Sequence, residues 1–106
     1  MTHNYTYGEE VVYFANEGNQ ITVQGDFLRI GVGTIRPKVC RNAAGQVQSR
    51  MIVHLYFFVR GHPDLEDDLD VSEGQVITEA GYQIRVTDIN YDEHLVVLKI
   101  AKPIVS

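Results

Sequence analysis

The feature that most constrains this chain is a strict two-residue alternation along residues 51–59. Met51, Val53, Leu55, Phe57 and Val59 are all apolar, and one residue separates each from the next. Because successive side chains of a β-strand point to opposite sides of the sheet, this spacing predicts a strand with one continuous core-facing side. The opposite side mixes aromatic and cationic residues, namely Arg50, Ile52, His54, Tyr56, Phe58 and Arg60.

The preceding segment pairs with this strand in one favoured register. With a turn at residues 42–45, antiparallel pairing places three apolar pairs on the core side: Leu28 with Val59, Ile30 with Phe57, and Val32 with Leu55. On the other side, Gly31 and Gly33 face Tyr56 and His54, and the missing side chains leave room for the rings. A bulge near the turn would shift the pairing by one residue and reverse every assignment, so the agreement of the apolar pairs favours this register.

Strand signals continue along the rest of the chain. Short runs rich in Val, Ile, Tyr and Phe are separated by Gly, Asn and Asp, which is typical of a sandwich or barrel. The predicted strands occupy residues 10–15, 20–24, 27–32, 34–41, 46–60, 75–79, 82–89 and 94–101. The sequence therefore predicts an all-β fold, either a small antiparallel β-sandwich or a partly open β-barrel of about seven to eight strands.

The C-terminal hairpin contains a predicted irregularity. Tyr82, Ile84 and Val86 alternate on one side, but the next apolar residue, Ile89, follows after three positions instead of two. The change of phase predicts a bulge or the end of the strand near Thr87 and Asp88.

One segment carries a helical signal. Pro63 precedes an acidic stretch, and both proline and carboxylates suit the first turn of a helix. Leu65 and Leu69 are four residues apart and would share one helical face. We expect one short helical turn near residues 63–70.

Length and composition indicate one globular domain, residues 1–106. Hydrophobic residues make up 44% of the chain and charged residues 22%, proportions of a folded protein rather than a disordered one. Cys40 is the single cysteine, so no internal disulfide can form. Because no apolar run follows Met1, we expect no signal peptide, no membrane span and a cytoplasmic location.

Charge is segregated along the sequence. The net charge is −5, which argues against general affinity for nucleic acid or anionic membranes. Residues 27–62 nevertheless contain cations and no acid: Arg29, Arg36, Lys38, Arg41, Arg50 and Arg60. Residues 63–76 contain acids and no cation.

The aromatic and cationic side of the central hairpin is the strongest candidate binding site. Rings and guanidinium groups supply much of the energy of protein interfaces. The same face could stack the bases of a single-stranded nucleic acid, or serve as a dimer surface. The structural alternative is a second sheet that covers Ile52, Tyr56 and Phe58. The candidate binding residues are Arg29, Arg50, His54, Tyr56, Phe58 and Arg60.

The acidic segment is the second candidate, and it comprises Asp64, Glu66, Asp67, Asp68 and Asp70. Several carboxylates could attract Ca²⁺, but the spacing differs from that of an EF-hand loop and no central glycine is present. A solvated segment is favoured over a metal site. A third interpretation is that these acids fold back on the cations and neutralise them through weak, salt-sensitive contacts.

Catalytic signals are poor. No zinc-binding spacing occurs among the histidines, His3, His54, His62 and His94. In the favoured register Arg41 faces Gln46 and Cys40 faces Val47, so the thiol lies roughly 23 Å from His54 at the rise of a strand. We therefore expect no enzyme, no metal and no cofactor.

These observations favour a non-catalytic interaction module of the adaptor, inhibitor or immunity-protein type. It would use the aromatic and cationic sheet face together with the acidic segment. Its expected partner is another protein, and a homodimer is a further expectation. The alternative is a ligand-binding β-barrel that holds single-stranded nucleic acid or a small anionic molecule on the same face.

Overall fold

Two four-stranded antiparallel sheets form a β-sandwich that does not close into a barrel. The structure is a computed structural model and describes residues 6–23, 25 and 27–104. In spatial order, the first sheet contains β3 (Gln20–Thr22), β4 (Leu28–Arg41), β5 (Val47–Val59) and β6 (Asp67–Ser72). The second contains β2 (Val11–Asn16), β9 (Leu95–Ala101), β8 (Tyr82–Asn90) and β7 (Val76–Glu79). A separate pair joins β1 (Thr6–Tyr7) to β10 (Pro103–Ile104).

The core lies between the two sheets. Val53, Leu55 and Phe57 from β5 are fully buried, and so are Ile84 and Leu98 from the second sheet. These positions confirm the core-facing side predicted from the alternation along residues 51–59. Burying a side chain of this size is worth about 1.5–3 kcal/mol, so this layer is the main source of stability.

The pairing of β4 with β5 confirms the predicted register over residues 28–32. Each apolar pair is found as expected, and Gly31 opposes Tyr56. The register then changes, because Gly33 and Thr34 together occupy the space opposite His54 and pairing resumes with Ile35 opposite Val53. This is a β-bulge, and it lies within the strand and not in the turn.

The bulge makes one part of the predicted register wrong by one residue. Arg41 opposes Val47 instead of Gln46, and Cys40 opposes Gln48. The turn accommodates this shift through the side chain of Asn42. The Asn42 Oδ1 accepts the backbone N–H groups of Ala44 at 3.0 Å and Gln46 at 2.9 Å. Gln46 is thereby held in the turn and does not join the strand.

A side chain from outside the first sheet stabilises the bulge. The N–H of Ile35 donates to Glu17 Oε1 at 2.6 Å. A partly buried backbone N–H needs a partner, and Glu17 supplies it where no neighbouring strand does. Because the bulge adds one residue, Val32 and Ile35 are three positions apart yet both are buried.

The segment predicted as helical is mostly strand. A single 3₁₀ turn spans Pro63–Leu65, and β6 begins at Asp67. The predicted short helical turn is therefore confirmed at the start of the segment, and the residues after it form a strand instead of a second turn. Leu69 and Val71 alternate toward the core while Asp68 and Asp70 face outward, and pairing with β5 stabilises this arrangement.

The C-terminal hairpin matches its prediction. The pairing of β8 with β9 shifts between Val86 and Asp88, which places a bulge at Thr87. Ile89 is buried after the shift, as the change of phase predicted.

The β4–β5 hairpin extends beyond its neighbours. β3 pairs with β4 only as far as Gly31, and β6 pairs with β5 only from Ile52 onward. Residues 37–41 and 47–51 therefore form a two-stranded extension, which we call the ribbon. Val39 and Val47 on the ribbon are 70% and 65% exposed.

The two glycines of β4 provide a test of the bulge geometry. A Cβ at Gly33 would lie 2.8 Å from the carbonyl oxygen of His54, whereas a Cβ at Gly31 would meet no atom closer than 3.5 Å. We expect Gly33→Ala to lower the free energy of unfolding by about 1–3 kcal/mol, because backbone must move. Gly31→Ala should change it by less than about 1 kcal/mol. Urea denaturation of both variants measures the difference, and equal losses would contradict the bulge geometry.

Candidate functional site

The outer face of the first sheet brings the sequence-predicted binding residues onto one surface but not into one cluster. Arg29 opposes Phe58 in the register, and Tyr56 lies two residues from Phe58 on β5. His54 follows next along the strand, and Arg50 lies on the ribbon, roughly 13 Å further by strand rise. Arg60 is exposed just after the end of β5.

A four-residue charge cluster occupies the centre of this face. The two ring nitrogens of His54 contact different carboxylates, Nδ1 at 2.7 Å from Asp70 Oδ1 and Nε2 at 2.7 Å from Asp68 Oδ2. Asp70 Oδ2 accepts a hydrogen bond from Arg36 at 3.1 Å. Strand pairing produces the cluster, because His54 is directly opposite Asp70 and diagonal to Asp68.

The cluster favours the charged form of its members. Hydrogen bonds to Asp70 and then Asp68 raise the pKa of His54 above its ordinary value of 6.5. The hydrogen bond from His54 lowers the pKa of Asp70 below its ordinary value of 3.8, and Arg36 contributes to the same effect. With both ring nitrogens facing carboxylates, the imidazolium is the form that can donate to both. The cluster therefore connects β4, β5 and β6 through hydrogen bonds that are strongest when His54 is protonated.

Tyr56 is the most exposed ring of the predicted patch. Its side chain is 43% exposed, and it lies against Gly31 and Gly33 on the neighbouring strand. The rings of Tyr56 and His54 meet edge to face with centroids 4.7 Å apart. Phe58 is half-buried and Ile52 is buried. Because the second sheet packs on the other side of the first, the structural alternative that it covers Tyr56 is wrong.

The acidic segment divides among three environments. Asp64 and Glu66 are exposed in and after the 3₁₀ turn, and Asp68 and Asp70 join the cluster. Asp67 contacts Glu79 on β7, and burial together with the Asp67 charge raises the pKa of Glu79. Among the described residues, no group of three or more His, Cys, Asp or Glu side chains is arranged to hold a metal ion.

A separate pocket of about 490 Å³ lies beside the start of β2 and the end of β9. Tyr13, Val23 and Tyr82 contribute to its largely apolar lining, and its charged lining residues are Glu9 and Lys102. Binding pockets usually combine apolar walls with a few converging polar groups. The outer face of the first sheet differs from this pocket, because it places the four-residue charge cluster beside the exposed ring of Tyr56, and it is the candidate site that the sequence predicted.

The structure also adds to the outer face two side chains that were not among the predicted binding residues. Arg36 joins the charge cluster, and Lys38 lies directly opposite Arg50 on the ribbon. Asp68 and Asp70 belong to the predicted acidic segment, and their direct contact with His54 is what the sequence did not predict. The alternation of Asp68, Leu69, Asp70 and Val71 was the sequence signal that could have located them.

Comparison with protein-family models, with curated proteins and with solved structures found no match for this chain.

In the described ranges, no helix is long and apolar enough to cross a membrane.

The charge cluster predicts a specific dependence of stability on pH. A raised pKa for His54 means that its contribution is fully present below pH 6.5 and is lost as the pH rises through the folded-state pKa. A lowered pKa for Asp70 means that its contribution is present above pH 3.8 and is lost as the pH falls through the folded-state value. We therefore expect the Tm of the wild type to exceed that of His54→Gln by the largest margin between these two values.

Thermal unfolding of the two proteins from pH 3 to pH 9 measures this margin. His62→Gln, which removes an exposed imidazole outside the cluster, is the control and should retain the wild-type profile. If the difference in Tm between the wild type and His54→Gln is the same at every pH, ionisation of the cluster does not contribute to stability and the prediction is wrong.

Proposed function

We propose that this protein is a non-catalytic interaction module that binds another protein through the outer face of its first sheet. The observation that carries the proposal is the exposed ring of Tyr56, held against two glycines and beside the His54 cluster. An exposed aromatic ring on a rigid strand provides a large contact area at a small cost in conformational entropy. We place its activity in the cytoplasm, where a chain with one cysteine needs no disulfide.

The surroundings of Tyr56 suit a mixed, polar protein surface. Phe58 adds apolar area on the same strand, and Arg29 lies across from it on β4. Asp68 is 56% exposed beside His54 and offers a carboxylate to the partner. Apolar centres bordered by charges of both signs are typical of transient protein interfaces. The exposed acids of the 3₁₀ turn would steer a basic partner toward this face.

The carboxylates beside Tyr56 make the binding of a single-stranded nucleic acid on this face less favourable. Phosphate contacts dominate the affinity of such complexes, and carboxylates close to the path of the backbone oppose them. Asp68 and Asp70 lie on the strand next to Tyr56, so a stacked base there would place its phosphates near negative charge.

Substitution of Tyr56 tests the proposed face. We expect Tyr56→Ala to weaken binding of the partners recovered by the wild type by about tenfold or more, since buried aromatic anchors are worth about 2 kcal/mol or more. The measurement is quantitative affinity enrichment from cell extract, followed by titration with each recovered protein. Tyr91→Ala is the matched control, because Tyr91 is 48% exposed in a turn away from the first sheet.

A second variant addresses the rival surface. Phe14 on β2 is 71% exposed on the outer side of the second sheet. If Phe14→Ala abolishes binding while Tyr56→Ala preserves it, the contact lies on the second sheet and the proposal is wrong. Light scattering at two concentrations identifies a homodimer as the bound partner if Tyr56→Ala shifts the protein to monomer.

A further inference from the structure

A small pocket lies on the outer face where the ribbon joins the sandwich. Its volume is about 220 Å³, and Lys38 and Arg50 line it from the ribbon. Ser72 and Gln75 line it from the end of β6 and the following turn, and buried Ile52 contributes an apolar wall. Pockets for whole organic ligands usually exceed about 300 Å³, so this one suits a single chemical group.

Two cations face each other across this pocket. Lys38 is directly opposite Arg50 in the β4–β5 register. Like charges at directly opposed positions destabilise a sheet. Neither side chain forms an ion pair with any described residue, so the repulsion is not relieved within this part of the chain. A bound anion would turn the repulsion into two attractive contacts.

The neutral side chains of the pocket also present donors. Gln75 Oε1 accepts the backbone N–H of Ser72 at 3.1 Å and the Ser72 hydroxyl at 3.5 Å. The carbonyl end of the amide is thus occupied, and its NH₂ group forms no hydrogen bond within the described residues. The amide NH₂ is able to donate to an oxyanion, and the Ser72 hydroxyl could do so by rotating away from its long contact with Gln75 Oε1.

The one carboxylate in the lining does not oppose an anion at full strength. Asp70 lines the pocket, but its Oδ1 contacts His54 and its Oδ2 accepts from Arg36. Both oxygens therefore already have hydrogen-bond partners within the sheet. The charge cluster described above removes the acceptor that would otherwise satisfy Lys38 and Arg50.

We propose that this pocket binds a phosphate group, held by Lys38 and Arg50 from the ribbon and by Ser72 and Gln75 from the body of the first sheet. A dianionic tetrahedral group matches two opposed cations with neutral donors on a third side, and Arg and Lys are the residues that proteins use most for phosphate. The pocket shares Asp70 with the charge cluster beside Tyr56, but Lys38, Arg50, Ser72 and Gln75 are not members of that cluster, so variants at these positions test the phosphate site separately from the Tyr56 surface.

Titration with inorganic phosphate and with O-phosphoserine tests the site and distinguishes a free ion from a phosphate ester. Binding is followed by backbone amide chemical shifts at pH 7.5, with ionic strength held constant by sodium chloride. We expect saturable shifts at Ser72 and Gln75, and about a tenfold or greater rise in Kd for Lys38→Gln and for Arg50→Gln. Tighter binding of phosphoserine assigns the site to an ester, and tighter binding of phosphate assigns it to the free ion.

Arg41→Gln is the matched control, because it removes one ribbon charge outside the pocket. It should bind phosphate as the wild type does. If Arg41→Gln loses as much affinity as the pocket variants, the binding reflects the overall charge of the ribbon and not the pocket, and the proposal is wrong. An absence of saturable shifts with both ligands would also overturn the proposal. Thermal unfolding without phosphate checks that both pocket variants are folded. Because each substitution removes the Lys38–Arg50 repulsion, the Tm of each variant should equal or exceed that of the wild type.

Discussion

The pairing of β4 with β5, together with its bulge at Gly33 and Thr34, decides on which side of the first sheet each group lies. Side chains alternate with a period of two, so an uncompensated slip of one residue would bury the charges and expose the core. The extra residue switches the inward-facing positions of β4 from even to odd numbers, so Val32 and Ile35 are both inside. As a result Arg36 and Lys38 lie on the outer face, where Arg36 contacts Asp70 and Lys38 is opposite Arg50.

The electrostatics of that face follow from which charges find partners. At the centre, two carboxylates of β6 meet the imidazole of His54 and the guanidinium of Arg36, so positive and negative groups are balanced locally. On the ribbon, Lys38 and Arg50 oppose each other instead. The acidic segment thus neutralises the near part of the cationic block, as one interpretation of the sequence held, and leaves the far part available to a ligand.

The extent to which sequence predicted this molecule differs between β5 and β6. On β5 five alternating apolar residues outweigh any competing signal, so the strand, its core side and its pairing with residues 28–32 were predictable. On β6 only Leu69 and Val71 point inward, and the proline and acids before them imitate a helix start. The His54 cluster could not be predicted because it depends on β6 being a strand in one particular register. Tertiary pairing, rather than local preference, determines that segment.

The ribbon has a consequence for local unfolding. An isolated two-stranded ribbon is marginally stable in water, and neither strand of this one gains a further neighbour beyond the sandwich. Its amide hydrogens should exchange with solvent through fraying that leaves the layer around Leu55 and Phe57 intact. A ligand that contacts both the ribbon and the end of β6 would couple these two regions. Binding in one small pocket would then slow amide hydrogen exchange along the whole ribbon.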